Sequence, residues 1–216
     1  MSLKVKVARK EDQERIKVFY QANPSEFIVF RPECEINAAV ERGHYFIIEE
    51  IGSSNIIAIS AIFYYDEDDQ NLVELSDTLV TSMYRGLGLQ PFLFKMRIAY
   101  LIATHGPDVR VSVAINSQNT YSVYNQKKVG FVSWVPEKIV YNSCSSCVAK
   151  PVDKPCCCDY FILPGPAKKE AVTEALKIAD VDPFVIEREL RREEISIDLR
   201  FLEGELKTDL RDFVSN

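Results

Sequence analysis

The feature that most narrows the possible folds is a two-glycine turn set between an apolar strand and a long apolar helix. Residues 72–81 (LVELSDTLVT) read as a strand. Tyr84-Arg85-Gly86-Leu87-Gly88-Leu89-Gln90 follow, and an apolar helix runs on to about Thr104, closed by Gly106-Pro107. A glycine turn at a helix N-terminus presents backbone N–H groups that the helix cannot use. With the helix dipole they form a site for an anion, phosphate above all. Gly86 and Gly88 allow close backbone approach, and Arg85 adds a fixed cation. The turn is not a P-loop, because no Gly-Lys-Ser/Thr follows, and it lacks the third glycine of a dinucleotide fingerprint.

The surroundings of the turn alternate helices and strands. Residues 4–8 read as a strand, followed by a helix with Asp12 near its start that breaks at Asn23-Pro24. Residues 33–42 form a second short helix. YFIIEEIG and IIAISAIFYY are strands joined by Gly52-Ser53-Ser54-Asn55, a hairpin turn. Asp66-Glu67-Asp68-Asp69 is an acidic turn, either a solvated loop or a lure for cations. Residues 109–115 form the next strand. A helix from Asn119 to Val129 has a natural N-cap in Asn119 and Gly130 at its end, and FVSWVPEKIVYN reads as a bent strand.

These residues carry a resemblance. Val80-x4-Arg85-Gly86-Leu87-Gly88-Leu89-Gln90 resembles the pyrophosphate loop of the GNAT N-acyltransferase superfamily, Arg/Gln-x-x-Gly-x-Gly/Ala, with Gln90 in the last position and Pro91 after it. Asn119-Thr120-Tyr121-Ser122 followed by Lys128-Val129-Gly130-Phe131 resembles that superfamily's Asn-x-x-Ser/Ala helix and its closing Gly-Phe turn. The resemblance spans roughly residues 4–142. It implies an α+β fold whose mostly antiparallel sheet is splayed open at its centre and flanked by helices. It also implies an N-acyltransferase with acetyl-coenzyme A as donor and a small-molecule or peptide amine as acceptor. The pyrophosphate would rest on Arg85, Gly86, Leu87, Gly88, Leu89 and Gln90. The pantetheine arm would pair with Leu79, Val80 and Thr81, and Asn119 and Ser122 would lie near the thioester.

Acyl transfer by direct attack needs a base for the amine and a proton donor for the thiolate. Glu74 stands where several members of the superfamily carry a base carboxylate. Strict alternation puts Ser76 and Thr78 on its side of the strand and Asp77 on the other. A solvated strand residue would look the same in sequence. The position at which many members carry a tyrosine acid is Gln126. Tyr124 is the nearest substitute, about 200° away around the helix, with Tyr121 a further one, and packing is the alternative role for both. A coenzyme A binder without catalysis is the second reading.

Of the six cysteines, Cys144, Cys147, Cys156, Cys157 and Cys158 fall in a Ser-, Cys- and Pro-rich stretch, 143–159, read as a loop. One Cys-x-x-Cys pair supplies half a zinc site, but the triple run does not supply the other half, so reduced thiols and no metal are expected. His44 and His105 sit beside glycines and read as surface or capping residues. Residues 160–216 form an extension. A strand at 160–163 is followed by two helices, the second opening at Asp182-Pro183, then a strand at 195–201 and a closing helix, an α-α-β-α order. It extends the sheet, covers one face of residues 1–142, or makes a dimer contact. The chain has 26 Lys and Arg against 32 Asp and Glu, a net charge of −6, which excludes a bulk basic footprint for nucleic acid. With no apolar run of membrane-spanning length and no apolar leader, a cytoplasmic monomer or homodimer is expected.

Overall fold

The computed structural model describes residues 2–28, 31–66, 69–136, 158–181, 183–188 and 191–215. Alternation in SLKVKV builds β1 (Ser2–Val7), with Leu3 and Val5 fully buried. Two helices follow, α1 (Gln13–Ala22) and α2 (Glu33–Glu41). Next come β2 (Tyr45–Glu50), β3 (Ile56–Asp66) and β4 (Asp69–Val80), an antiparallel meander. The glycine turn leads into α3 (Leu89–His105), then β5 (Arg110–Asn116), α4 (Thr120–Val129) and β6 (Val132–Ser133). β7 (Cys158–Ile162), α5 (Gly165–Ala179), β8 (Phe184–Arg188), β9 (Arg191–Asp198) and α6 (Gly204–Ser215) complete the chain.

Among the described residues, nine strands form one sheet in the order β6-β7-β5-β4-β3-β2-β1-β9-β8. Of these pairings β4–β5 and β1–β9 run parallel and the others antiparallel. Alternate residues face opposite sides of the sheet, the central strand β2 buries apolar residues on both, and helices cover both faces. α3, α5 and α6 pack on one face, where Leu93, Ile98, Ala171, Val172 and Leu210 meet Val5, Phe46 and Val73. On the other face Ile16, Phe19, Ile36 and Val40 of α1 and α2 meet Ile47, Ile59 and Leu79. Burying each such side chain stabilises the fold by about 1.5–3 kcal/mol. No helix among the described residues is long and apolar enough to cross a membrane.

The structure departs from the sequence reading in three places here. The second helix of the extension is absent: Phe184–Arg188 is the strand β8, and it forms a hairpin with β9. Val185 and Ile186 favour an extended backbone, and the free edge of β1 gives the hairpin a partner, so pairing overrides the helix-start signal at 182–183. The extension therefore runs α-β-β-α. The strand at its start, β7, is inserted between β5 and β6, so a boundary at residue 160 would cut through the sheet. His44 is not a surface residue. It is 4% exposed, with its ring packed against Tyr64, Tyr100 and His105, and burial pushes its pKa down to about 4, helped by the positive fields of His105 and Arg42. Cys144, Cys147, Cys156, Cys157 and the middle of the acidic turn lie outside the described residues.

Candidate active site

The sheet opens where β4 and β5 part. Their pairing ends at Glu74 opposite Ser112, while β4 runs on to Val80. A cavity of about 160 Å³ fills the gap. β4 contributes Glu74 to Thr78, and β5 contributes Val113 to Asn116. Gln90 and Phe94 of α3 and Asn119, Ser122 and Gln126 from α4 and its cap form another wall. Cys158 and Tyr160 of β7 line it too, as do Phe27, Ile28 and Arg31 from the segment between α1 and α2.

The glycine turn sits at the far end of β4. A 3-10 turn, Ser82–Tyr84, precedes it, and buried Tyr84 anchors it by donating to Glu50 Oε1 at 2.9 Å. Gly86 and Gly88 have φ of 83° and 84°, the left-handed region that glycine enters without penalty. An added Cβ at either would meet nothing within 4 Å, so the space over the turn is open. Gly88 is the N-cap of α3, which puts the first-turn N–H groups of Leu89 and Gln90 at the turn. Pro91 falls where a helix has no internal acceptor, so its missing N–H costs the helix nothing. The Gln90 side chain is held by α4. It donates to Ser122 Oγ at 3.4 Å and accepts from Asn125 Nδ2 at 2.7 Å. Leu87 and Leu89 are buried anchors, and Arg85 is exposed with Nε donating to Val80 O at 3.2 Å.

A bulge sets the charges of the cavity wall. Ala61 pairs with Ser76 and Ile59 with Leu79, so Ser60 alone faces two residues, Asp77 and Thr78. Asp77 takes φ 52°, a conformation that Asp adopts more readily than most residues. Alternation breaks at this point, which corrects the sequence reading of this strand. Asp77 joins Glu74 and Ser76 near Arg31 and Tyr20. Thr78 turns to α3, where its Oγ1 accepts from Arg97 Nη2 at 2.8 Å. Arg97 is fully buried and clamps the bulge, donating through Nη1 to Ala61 O at 2.7 Å and Ser76 O at 3.0 Å. Burial pushes its pKa down to about 9, against the pull of Asp77 and Tyr45.

Glu74 is held above the usual carboxylate range, by burial first, with Asp77 adding to the shift and Arg31 and Ser76 opposing it. A base with a raised pKa is better matched to a proton carried near neutral pH. Asn119 Oδ1 accepts from Ser122 N at 3.1 Å, so the cap that starts α4 also fixes the cavity wall. Leu79 and Val80 lie beyond the last β4–β5 pair, on the stretch of β4 that β5 leaves uncovered, and Thr81 follows directly. Tyr124 is 65% exposed and does not line the cavity, and Tyr121 is 78% exposed. Helical rotation carries them to the solvent side, so the structure does not support Tyr124 as a proton donor. Gln126 faces inward instead, 2% exposed, with its Oε1 lacking a partner. Sequence reasoning missed Arg31, Asp77 and Tyr160. Neither Arg31 nor Tyr160 lies in a motif, and the bulge that admits Asp77 has no sequence signature.

No protein-family profile and no curated protein matches the chain. Solved structures do. The yncA structure from Salmonella typhimurium with its cofactor acetyl-CoA superposes with a TM-score of 0.56 at 17% identity, covering 76% of this chain and 94% of that one. The ribosomal-protein-S18-alanine N-acetyltransferase from Escherichia coli gives 0.52 at 16%, covering 75% and 93%. A spermidine N-acetyltransferase mutant from Vibrio cholerae gives 0.52 at 11%, covering 77% and 95%. The splayed sheet, the glycine turn at its mouth and these superpositions agree: the chain has the GNAT acetyltransferase fold.

Proposed function

We propose that the chain is an N-acyltransferase that moves an acetyl or other acyl group from coenzyme A to an amine. One observation carries this reading: an open glycine turn heads α3 at the mouth of the β4–β5 splay, with the Glu74 carboxyl on the wall of the cavity inside. The first-turn N–H groups and Arg85 suit a pyrophosphate. The uncovered edge of β4 at Leu79, Val80 and Thr81 suits an extended amide-bearing arm, which would pair there as an added strand. Asn119 and Ser122 would flank its reactive end. Coenzyme A supplies the activated thioester carbonyl. The acceptor nitrogen, relieved of a proton by Glu74, forms the C–N bond as the C–S bond breaks. The thiolate takes up a proton by way of water, since neither Tyr121 nor Tyr124 lines the cavity. The reaction is set in the cytoplasm, with one chain or a pair of identical chains as the working unit.

The buried amide of Gln126, which cannot serve as an acid, favours a second reading: a coenzyme A binder without turnover. Calorimetric titration with acetyl-coenzyme A, on the natural chain and on Gly88→Glu, tests the site. Micromolar binding that is lost in the variant supports it, and no binding to the folded natural chain rejects both readings. Turnover with a panel of amines then separates enzyme from binder. The fold alone does not select the acceptor, because its neighbours include enzymes named for spermidine and for an alanine of a ribosomal protein.

A further inference from the structure

The cavity wall carries charges of both signs at short range. Arg31 reaches it from the α1–α2 segment with its side chain 16% exposed and its guanidinium over the Phe63 ring at 4.4 Å. Nη2 donates to Ser76 Oγ at 3.3 Å, and Nη1 to Glu35 Oε2 at 3.3 Å on the outer side. Nε is buried without a hydrogen-bond partner, its nearest carboxylate oxygen being Asp77 Oδ1 at 3.6 Å. Asp77 is 7% exposed; its Oδ2 is buried and makes no hydrogen bond of ordinary length, while the Tyr20 hydroxyl lies within reach of the carboxylate. Ser76 joins these groups. Its hydroxyl accepts from Arg31, donates to Asp77 Oδ1 at 2.9 Å and favours the charged form of Glu74. A guanidinium and two carboxylates therefore surround one serine on one wall of a small cavity.

Buried polar atoms without partners are rare and ask for an explanation. A plain ammonium or a polyamine would pair with the carboxylates but leave Arg31 Nε without an acceptor. A ligand with one charge of each sign supplies an N–H donor to Asp77 Oδ2 and an acceptor to Arg31 Nε, with the Glu74 carboxyl on the same cavity wall. An α-amino acid carries ammonium and carboxylate on a single carbon, matching two opposite charges that share one hydroxyl. Phe27 and Ile28 add an apolar flank. The volume of about 160 Å³ is close to the ~150 Å³ known to hold a benzene ring, which favours a small acceptor.

Building on the acyltransferase reading, we propose that the acceptor is a free amino acid with an apolar side chain, its carboxylate on Arg31 and its amine at Glu74 and Asp77. The test compares leucine, leucinamide and 1,4-diaminobutane as acceptors with acetyl-coenzyme A, in the natural chain, Arg31→Gln and Arg31→Lys. Leucine should be preferred over leucinamide by about tenfold or more in kcat/KM. Arg31→Gln should raise the leucine KM by a similar factor and leave leucinamide little changed, with part of the preference restored in Arg31→Lys. Equal losses for leucine and leucinamide would make Arg31 only a support for the loop. Equal or better use of leucinamide or the diamine by the natural chain would overturn the proposal while leaving the acyltransferase reading in place. If acetyl-coenzyme A binds but no amine turns over, calorimetry with leucine and leucinamide on the loaded protein decides. Leucine-selective binding upholds the amino-acid site, and its absence overturns it.

Discussion

Two buried aspartates sit on the same side of the molecule in opposite condition. Asp12, at the corner between β1 and α1, is wholly enclosed and complete: Oδ2 accepts from Arg9 N at 3.0 Å, and Oδ1 accepts from Lys6 at 3.2 Å and from Arg15. Glu49 shares both cations, so charge balances charge. Asp77, in the bulge of β4, is nearly as buried but sits in an unfavourable backbone region and leaves one oxygen without a hydrogen bond of ordinary length. A finished polar cluster ties elements together. An unfinished one, beside a cavity, is reserved for something that arrives later.

The contrast can be broken by experiment. The largest effect falls on the unfinished side: Glu74→Gln should lower kcat/KM by about 10²–10³ with acetyl-coenzyme A affinity unchanged, as read by initial rates and calorimetry. Its pH profile should lose an acid limb that, in the natural chain, lies above the ordinary glutamate range. On the finished side, Asp12→Ala should cost about 3 kcal/mol, a fall in Tm of roughly 6–12 °C, because Lys6 and Arg15 lose a buried partner. A smaller effect follows from the raised pKa of Glu74. The protonated carboxyl is favoured in the fold, so its stabilisation is present at acid pH and is lost as pH rises through the folded pKa. Glu74→Gln should therefore raise Tm at pH 8 and leave Tm near pH 4 unchanged. Asp77→Asn should shift stability least, by under about 1 kcal/mol, since Asn also tolerates a positive φ. A loss matching that of Asp12→Ala would erase the distinction between the two aspartates.

Which parts of this were legible in the sequence follows from whether the signal is local. Gly86 and Gly88 mark a positive-φ turn because few other residues occupy one, and Asn119 marks a cap because its side chain reaches a backbone N–H three residues on. Both were readable. The bulge was not: Ser76-Asp77-Thr78 continues the alternation on paper, and only Arg97, some twenty residues later, fixes where the strand slips. β8 was misread because Asp182-Pro183 is a genuine helix-start signal, and the edge of β1 that outcompetes it belongs to the other end of the chain. The swing of Tyr124, about 200° around α4 from Gln126, was readable too, and its 65% exposure agrees with it. Arg31 was invisible because the partners that hold it at the cavity, Ser76 and Asp77, come from β4, far along the chain.

The pairing of β1 with β9 also sets an order of assembly. Ser2 lies beside Glu194, so β1 waits until β9 has been made before its outer edge is covered. While the chain is being synthesised, β1 can join β2 but keeps a row of unpaired backbone groups on its other side, a template for a neighbouring nascent chain. The β8–β9 hairpin closes that row. Closing such a long loop is slow relative to local folding, which makes the C-terminal segment the step that ends the chain's exposure to self-association. A chain halted before β9 would present its sheet to the next copy.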